Sequence, residues 1–146
     1  MQITENRLKH ILAVATKMKT EVSKHPKDYP CSPDDAFILG FLHDIGYEFS
    51  TTQDEHPNKD GLALKEQGYK YWKEIYYHGI PQDEYNSPLL DLLNYADMTT
   101  SLSGENMTTK QRISDIASRY GKGSKQELDA IELSKTFKIT KEKKYV

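Results

Sequence analysis

Apolar residues recur at three- and four-residue spacing along most of the chain, a pattern that predicts α-helices. The first such stretch runs from about Thr4 to Ser23 and predicts a long amphipathic helix. Its apolar positions are Leu8, Ile11, Leu12, Ala15, Met18 and Val22. Ser32 and Pro33 then open a second apolar stretch that should end at Gly46. A second helix is expected there, because serine caps helix N-termini and proline suits the first turn.

Further helices are predicted downstream by the same spacing and by their start and stop signals. Two short ones cover residues 60–67 and 72–78. Ser87-Pro88 precedes a leucine-rich stretch, and Thr108-x-x-Gln111 and Ser124-x-x-Glu127 both match the capping box. The sequence shows no alternating strand pattern of useful length and no internal repeat. The expected fold is therefore all-α, a single-domain bundle of six or seven helices over residues 1–146 with a basic tail at about 138–146.

The composition is typical of a protein in a reducing, aqueous compartment. At 146 residues it is long enough for one domain with its own core. Its mean hydropathy is −0.77, and no window approaches the ~20 apolar residues of a membrane span. Residues 1–4 lead into the charged first helix without signal-peptide features, and the lone Cys31 cannot form an internal disulfide. We therefore expect a cytoplasmic protein with no membrane partner.

Charge gives no sign of a nucleic-acid partner. The formal net charge is −2, and acidic and basic residues are interspersed along the chain. A nucleic-acid surface normally shows a clustered basic stripe. Only the last lysines, within 138–144, form a basic run, and such a run is more often a solvated helix end. We expect a small-molecule partner and leave a homo-oligomer open.

An apolar run at residues 41–48, F-L-H-D-I-G-Y-E, contains His43 and Asp44 side by side. Burying this pair is costly unless the two side chains are paired or bound to a metal ion. Taken singly, each histidine and aspartate of the chain has an ordinary explanation as a solvated or hydrogen-bonded residue. Their order, His10, His43-Asp44 and then Asp97, is more informative. Imidazoles and carboxylates without thiolates suit Mn, Fe, Co, Ni or Zn.

These residues resemble the H…HD…D signature of the HD superfamily of metal-dependent phosphohydrolases. The segment Arg7-Leu8-Lys9-His10 is similar to that family's first motif, and residues 39–46, L-G-F-L-H-D-I-G, are similar to its central motif. Tyr95-Ala96-Asp97 resembles its last motif, and the likeness extends over residues 7–120. The resemblance implies an HD-domain-like helical fold with a divalent metal bound by these histidines and aspartates.

His56 and His78 extend the resemblance to the H…HD…H…H…D variant, whose members hold two metal ions. The ligands it implies are His10, His43 and Asp97 for one ion and His56 and His78 for the other, with Asp44 bridging them. One or two ions of Fe, Mn, Co, Ni or Zn are therefore expected, with two favoured. His25 matches no position of the pattern and is interpreted as a loop residue.

The resemblance implies hydrolysis of a nucleotide or another small phosphoester by a metal-activated water. Asp44 is the residue expected to orient that water. Candidate phosphate-facing cations are Arg7, one helical turn before His10, and Lys59, Arg112 and Arg119. Each of these cations has an equally good explanation as an ordinary surface charge.

Two alternatives stay open at this point. Tyr47, followed by Glu48, stands where the hydrolases often carry lysine or glutamate. That departure keeps open a di-iron HD-type oxygenase of a small molecule. The further alternative is a non-catalytic HD module that binds a nucleotide, which the intact set of ligands makes less favourable.

Overall fold

The computed structural model describes residues 4–44 and 56–138, and these residues are helical with short connections. Seven α-helices are formed within them, which confirms the all-α prediction. The helices are α1 (Glu5–Lys24), α2 (Pro33–Leu42), α3 (His56–Glu66), α4 (Trp72–Tyr77), α5 (Pro88–Met98), α6 (Thr109–Tyr120) and α7 (Lys125–Ser134). A single 3-10 turn at Pro26–Asp28 follows α1.

The helix starts follow the predicted capping residues. The side-chain oxygens of Ser32, Ser87, Thr108 and Ser124 each accept a hydrogen bond from the backbone N–H three residues later. At α6 both halves of the capping box form, because the Gln111 side chain also accepts from the Thr108 N–H. At α7 the second half differs, since the Glu127 carboxylate accepts from Gly123 N–H.

Two predicted boundaries are wrong by about four residues. α2 ends at Leu42, so His43 and Asp44 lie in the turn directly after the helix rather than in its last turns. The predicted stop at Gly46 lies outside the described residues. α3 begins at His56, four positions before the predicted start at Asp60. Periodicity locates a helix well but its ends poorly, because the terminal turns carry few apolar residues.

The main core lies among α1, α2, α4 and α5. Its fully buried residues are Val14, Met18, Val22, Ala36, Leu39, Ile75, Leu89, Leu92, Leu93 and Ala96. α1 and α2 approach closely at Gly40, where a Cβ would lie 2.7 Å from the Cα of Ala15. Only glycine permits that distance between the two backbones. The close crossing brings the end of α2, with His43 and Asp44, against the face of α1.

A second, smaller core lies between the C-terminal end of α5 and the pair α6 and α7. It contains Met98, Ile116, Ala130, Leu133 and Phe137. Within residues 4–44 and 56–138, no helix has the length and hydropathy of a membrane span. Of the predicted basic tail only residue 138 is described, so the prediction for the tail lies outside the described residues.

Candidate metal centre

Three helices bring four predicted ligands to one point. His10 comes from the middle of α1, His43 and Asp44 from the turn after α2, and Asp97 from the last turn of α5. One side-chain nitrogen or oxygen from each residue lies within 4.8 Å of the other three. Only 3% of His10, none of His43 and 7% of Asp44 is exposed. The cluster therefore exists only in the folded bundle, and it sits at the edge of the main core.

The imidazole and carboxylate atoms face one another directly. His10 Nε2 lies 2.9 Å from Asp97 Oδ1 and 3.5 Å from Asp44 Oδ2. His43 Nε2 lies 3.4 Å from each of the same two oxygens. Each carboxylate thus faces both histidines, and each histidine faces both carboxylates.

The orientation of both rings is fixed by backbone carbonyls on their far sides. His10 Nδ1 lies 2.9 Å from the Ser101 carbonyl oxygen, and His43 Nδ1 lies 2.6 Å from that of Gly40. A carbonyl oxygen only accepts, so each Nδ1 carries the proton and donates. In a neutral ring Nε2 then presents a lone pair. The Nε2 atoms of His10 and His43 thus converge with one oxygen each of Asp44 and Asp97. All four atoms are electron-pair donors, so a cation, either a proton or a metal ion, is needed between them.

His43 shows this requirement most clearly. Its Nε2 is buried and, although two carboxylate oxygens lie 3.4 Å away, neither meets it in hydrogen-bonding geometry. A buried polar atom without a partner is costly and rare in native structures. Nitrogen and oxygen donors without thiolates are the set that borderline divalent transition metals accept. The group formed by His10, His43, Asp44 and Asp97 could therefore hold a metal ion.

Without a metal, protons carry the missing positive charge. Burial opposes protonation of His43, but the charges of Asp44 and Asp97 outweigh it and raise the pKa of His43 to about 9. Burial would raise the pKa of Asp97, yet the hydrogen bond from His10 and the charges of His43 and His10 hold that pKa well below its usual value. A metal ion entering the site would thus displace a proton from His43.

A third imidazole stands beside the cluster. The His78 ring is buried, with its centroid 5.5 Å from that of His43. Its Nδ1 donates to the Ile75 carbonyl oxygen over 2.6 Å, the same arrangement as in His10 and His43. Burial, followed by the charge of His43, lowers the pKa of His78. The His56 backbone begins α3, but its side chain lies outside the described ones, so the second-ion ligand set stays a prediction.

A cavity of about 660 Å³ opens over the cluster, and His10, Asp44, His78 and Asp97 are among the residues that line it. The positively charged lining residues are Arg7, Arg112, Arg119 and Lys125. The apolar side is formed by Ile80, Met98, Leu102, Ile116, Tyr120, Ala130 and Leu133. The cavity is thus lined by candidate metal ligands, by cationic side chains and by apolar side chains.

The cations predicted to face phosphate occupy different positions. Arg7 lines the cavity with its Nη1 4.0 Å from Asp44 Oδ2. Arg112 also lines it, and its Nη1 donates to the Thr100 carbonyl oxygen over 2.5 Å. Arg119 pairs with Asp115 at 3.2 Å on the exposed side of α6. Lys59 is exposed on α3 and is not among the residues that line this cavity.

Some residues of the cavity gave no signal in the sequence. Lys125 and Gln126 reach it from the first turn of α7. The capping-box pattern at Ser124 and Glu127 predicted that a helix begins here, but it gave no information on how this helix packs against α5. Tyr47 and Glu48, on which the choice of reaction rested, lie outside the described residues.

No protein-family model, curated protein or solved structure matches the chain. What the site can do chemically therefore follows from its own residues. The group that could hold a metal ion lacks thiolates and borders a cavity with four cationic residues in its lining. Structural zinc sites are closed and mostly rich in cysteine, whereas sites for chemistry keep one side open.

Proposed function

We propose that this protein is a metal-dependent phosphohydrolase of the HD type, cleaving a nucleotide or another small phosphoester. The observation that carries the proposal is the convergence of His10 Nε2, His43 Nε2, Asp44 Oδ2 and Asp97 Oδ1 beneath an open cavity. A divalent ion bound there would polarise phosphate oxygens and lower the pKa of a water molecule.

In this proposal Asp44 orients the attacking water. Its carboxylate belongs to the cluster and also lines the cavity, so it borders both the ion site and the space for substrate. Arg7 lies 4.0 Å from Asp44 Oδ2, where its guanidinium can neutralise negative charge that develops on the phosphoryl group. Arg112 brings a second guanidinium to the same cavity. Arginine suits this role because its planar fork matches phosphate oxygens.

The size and apolar lining of the cavity favour a nucleotide-sized substrate. A volume of about 660 Å³ falls within the range of pockets for cofactors and drug-sized molecules. Ile116, Tyr120 and Leu133 offer an apolar surface for the organic part of the phosphoester, next to the cationic wall. Dinucleoside polyphosphates belong on the list of substrates to test, together with mononucleotides and simple phosphomonoesters.

We further propose two ions, the second held by His56 and His78 with Asp44 bridging. The support is the buried His78 imidazole, whose Nδ1 is tied to a carbonyl just as in His10 and His43. The number of bound ions is tested by measuring the metal content per chain of the natively purified protein. A fall from two ions to one in both His56→Ala and His78→Ala is expected, and no change in either would confine the site to His10, His43, Asp44 and Asp97.

Phosphate release by the metal-loaded protein tests the reaction. We expect turnover of at least one nucleotide or phosphomonoester with Mn, Fe, Co, Ni or Zn, and its loss with a chelator or in Asp44→Asn. Asp34→Asn is the matched control, because Asp34 is an exposed carboxylate paired with Lys19 on the surface. Protein that binds metal but leaves nucleotides, phosphomonoesters and polyphosphates intact would contradict the proposal.

A further inference from the structure

Three successive backbone carbonyls directly after α5 each accept a hydrogen bond from a different side chain. The Thr99 oxygen accepts from Lys17 Nζ over 2.5 Å, and the Thr100 oxygen accepts from Arg112 Nη1 over 2.5 Å. The Ser101 oxygen accepts from His10 Nδ1 over 2.9 Å. We call residues 99–101 the carbonyl segment. It lies two to four positions after Asp97 in the chain and is hydrogen-bonded to His10, so it contacts one candidate metal ligand and closely follows another.

The carbonyl segment determines which nitrogen of His10 faces the cluster. Because the Ser101 oxygen holds the proton on Nδ1, Nε2 is left to point at Asp97 and Asp44. A displaced Ser101 carbonyl would free the ring to rotate or to change tautomer. The affinity of the site for metal therefore depends on where this carbonyl is held.

Lys17 fixes the segment from the same helix that carries His10. The two residues are seven positions apart, about two turns of α1, and therefore share one face. Lys17 Nζ also lies 3.1 Å from Thr99 Oγ1. A cation next to the last carbonyls of α5 is favoured by the helix dipole. α1 thus holds the segment at two points along its length, with Lys17 at one end and His10 at the other.

Other contacts leave the segment little freedom to move. The Ser101 N–H donates to the Glu105 oxygen over 2.7 Å, and the Gly104 N–H donates to the Ser101 oxygen over 3.0 Å. Gly104 has φ +87°, and a Cβ there would lie 2.7 Å from the Lys9 oxygen. The loop after the segment therefore rests directly on the backbone of α1 beside His10.

We propose that Lys17 is a positioning residue of the metal centre, which acts by holding the carbonyl segment so that Ser101 orients His10. This inference rests on the proposed metal site and adds a residue that does not ligate the ion. Lys17 is not among the residues that line the substrate cavity, so its effect is separable from substrate binding. Partners that orient a metal-ligating histidine typically change metal affinity by about 10- to 100-fold.

The test is the dissociation constant for Co²⁺, measured by competition with a chromophoric chelator at fixed pH. Lys17→Met keeps the length and packing of the side chain but removes the donor, and we expect about tenfold weaker binding. Lys17→Arg, which keeps charge and donors, should recover most of that loss. Lys19→Met is the surface control, because Lys19 is half exposed and pairs with Asp34. Val22→Ala is the stability control, since it loosens the main core without touching the segment.

The possible outcomes distinguish a failure of the positioning role from a failure of the proposed metal site. Weaker Co²⁺ binding in Lys17→Met, with Lys19→Met and Val22→Ala near the unmodified value, supports the positioning role. Unchanged binding in Lys17→Met, or an equal loss in Val22→Ala, overturns it and leaves the metal site standing. A wild-type protein that binds no Co²⁺, Mn²⁺ or Zn²⁺ overturns both proposals together.

Discussion

The two cores of the molecule differ in what they support. The main core, among α1, α2, α4 and α5, holds four candidate ligands at its edge: His10 on α1, His43 and Asp44 in the turn after α2, and Asp97 on α5. The smaller core, between the end of α5 and the pair α6 and α7, supports the cationic and apolar wall of the cavity. On the first side His10, His43 and Asp44 are buried and Asp97 is partly buried, whereas Arg119, Tyr120 and Lys125 are exposed on the second.

Under the proposed function, this difference separates the residues of the chemical step from those of substrate recognition. A metal site tolerates little displacement of its ligands, so its residues come from tightly packed helices with backbone carbonyls behind the rings. The proposed substrate-binding wall needs only shape and charge, which exposed residues on α6 and α7 would supply. Changes in the main core should therefore alter metal binding and stability, and changes in the smaller core should alter substrate affinity.

The largest expected effect is the loss of metal binding in His10→Ala. Removing one of four ligands and its hydrogen bond to Ser101 should weaken Co²⁺ binding by more than the roughly 100-fold typical of an outer-shell partner. His25→Ala is a matched control, because His25 caps the C-terminal end of the same helix, away from the cluster. Calorimetric titration measures both. Equal affinities for the two variants would contradict the assignment of the site to the main core.

The next effect compares the two cores by truncation of one leucine in each. Leu93 is completely buried in the main core, so Leu93→Ala leaves a closed void and should cost about 4 kcal/mol of unfolding free energy. Leu133 lines the open cavity, so Leu133→Ala should cost about 2 kcal/mol, because less closed void remains. Urea denaturation measures both values. A larger cost at Leu133 would reverse our ranking of the cores.

A smaller effect is the pH dependence of protein stability, whose sign should differ between the metal-free and the metal-loaded protein. Folding raises the pKa of His43 from 6.5 to about 9. The protonated ring therefore adds its full contribution to the free energy of unfolding below pH 6.5, and that contribution is lost as pH rises through 9. The metal-free protein should therefore lose stability between pH 6.5 and 8. Above that range Lys17, whose pKa burial lowers to about 8, contributes the opposite slope.

Metal loading should reverse the slope between pH 6.5 and 8, because the ligands bind the ion in their deprotonated forms. Urea midpoints measured in chelator and in excess Co²⁺ at several pH values test this reversal. His43→Gln should flatten the metal-free curve. Parallel curves with and without metal would show that His43 does not exchange a proton for the ion.

The smallest expected effect concerns the wall formed by α6 and α7. Arg119→Gln should raise KM for a phosphorylated substrate about 1.4- to fivefold and leave Co²⁺ affinity unchanged, since exposed charge contacts are worth about 0.2–1 kcal/mol. Lys110→Gln, an exposed position on α6 that does not line the cavity, is the control. A change in metal affinity in Arg119→Gln would remove the separation between the two regions.

The sequence was sufficient for the helices but not for their packing. Ser32, Ser87, Thr108 and Ser124 begin their helices as predicted, because capping depends on residues within one turn. The end of α2 was predicted four residues too late, since the apolar pattern continues beyond Leu42 while the helix does not. Local signals carry no information on the distance between α5 and α7.

The candidate ligands could be selected from the sequence only through their order and their resemblance to a known signature. The structure adds what holds them: the carbonyls of Gly40, Ile75 and Ser101 behind the three rings. Backbone carbonyls are present at every residue, so no side-chain pattern marks these three. Lys17 was missed for the same reason, because its partner is a carbonyl 82 positions away.

Anomalous diffraction from crystals grown with Co²⁺ or Mn²⁺ tests the central claim most directly. We expect a strong peak among His10 Nε2, His43 Nε2, Asp44 Oδ2 and Asp97 Oδ1, with the Nδ1 atoms of both rings still donating to Ser101 and Gly40. Crystals without a peak there, in which His10 remains hydrogen-bonded to Asp97 despite excess metal, would contradict the claim that this cluster is a metal centre.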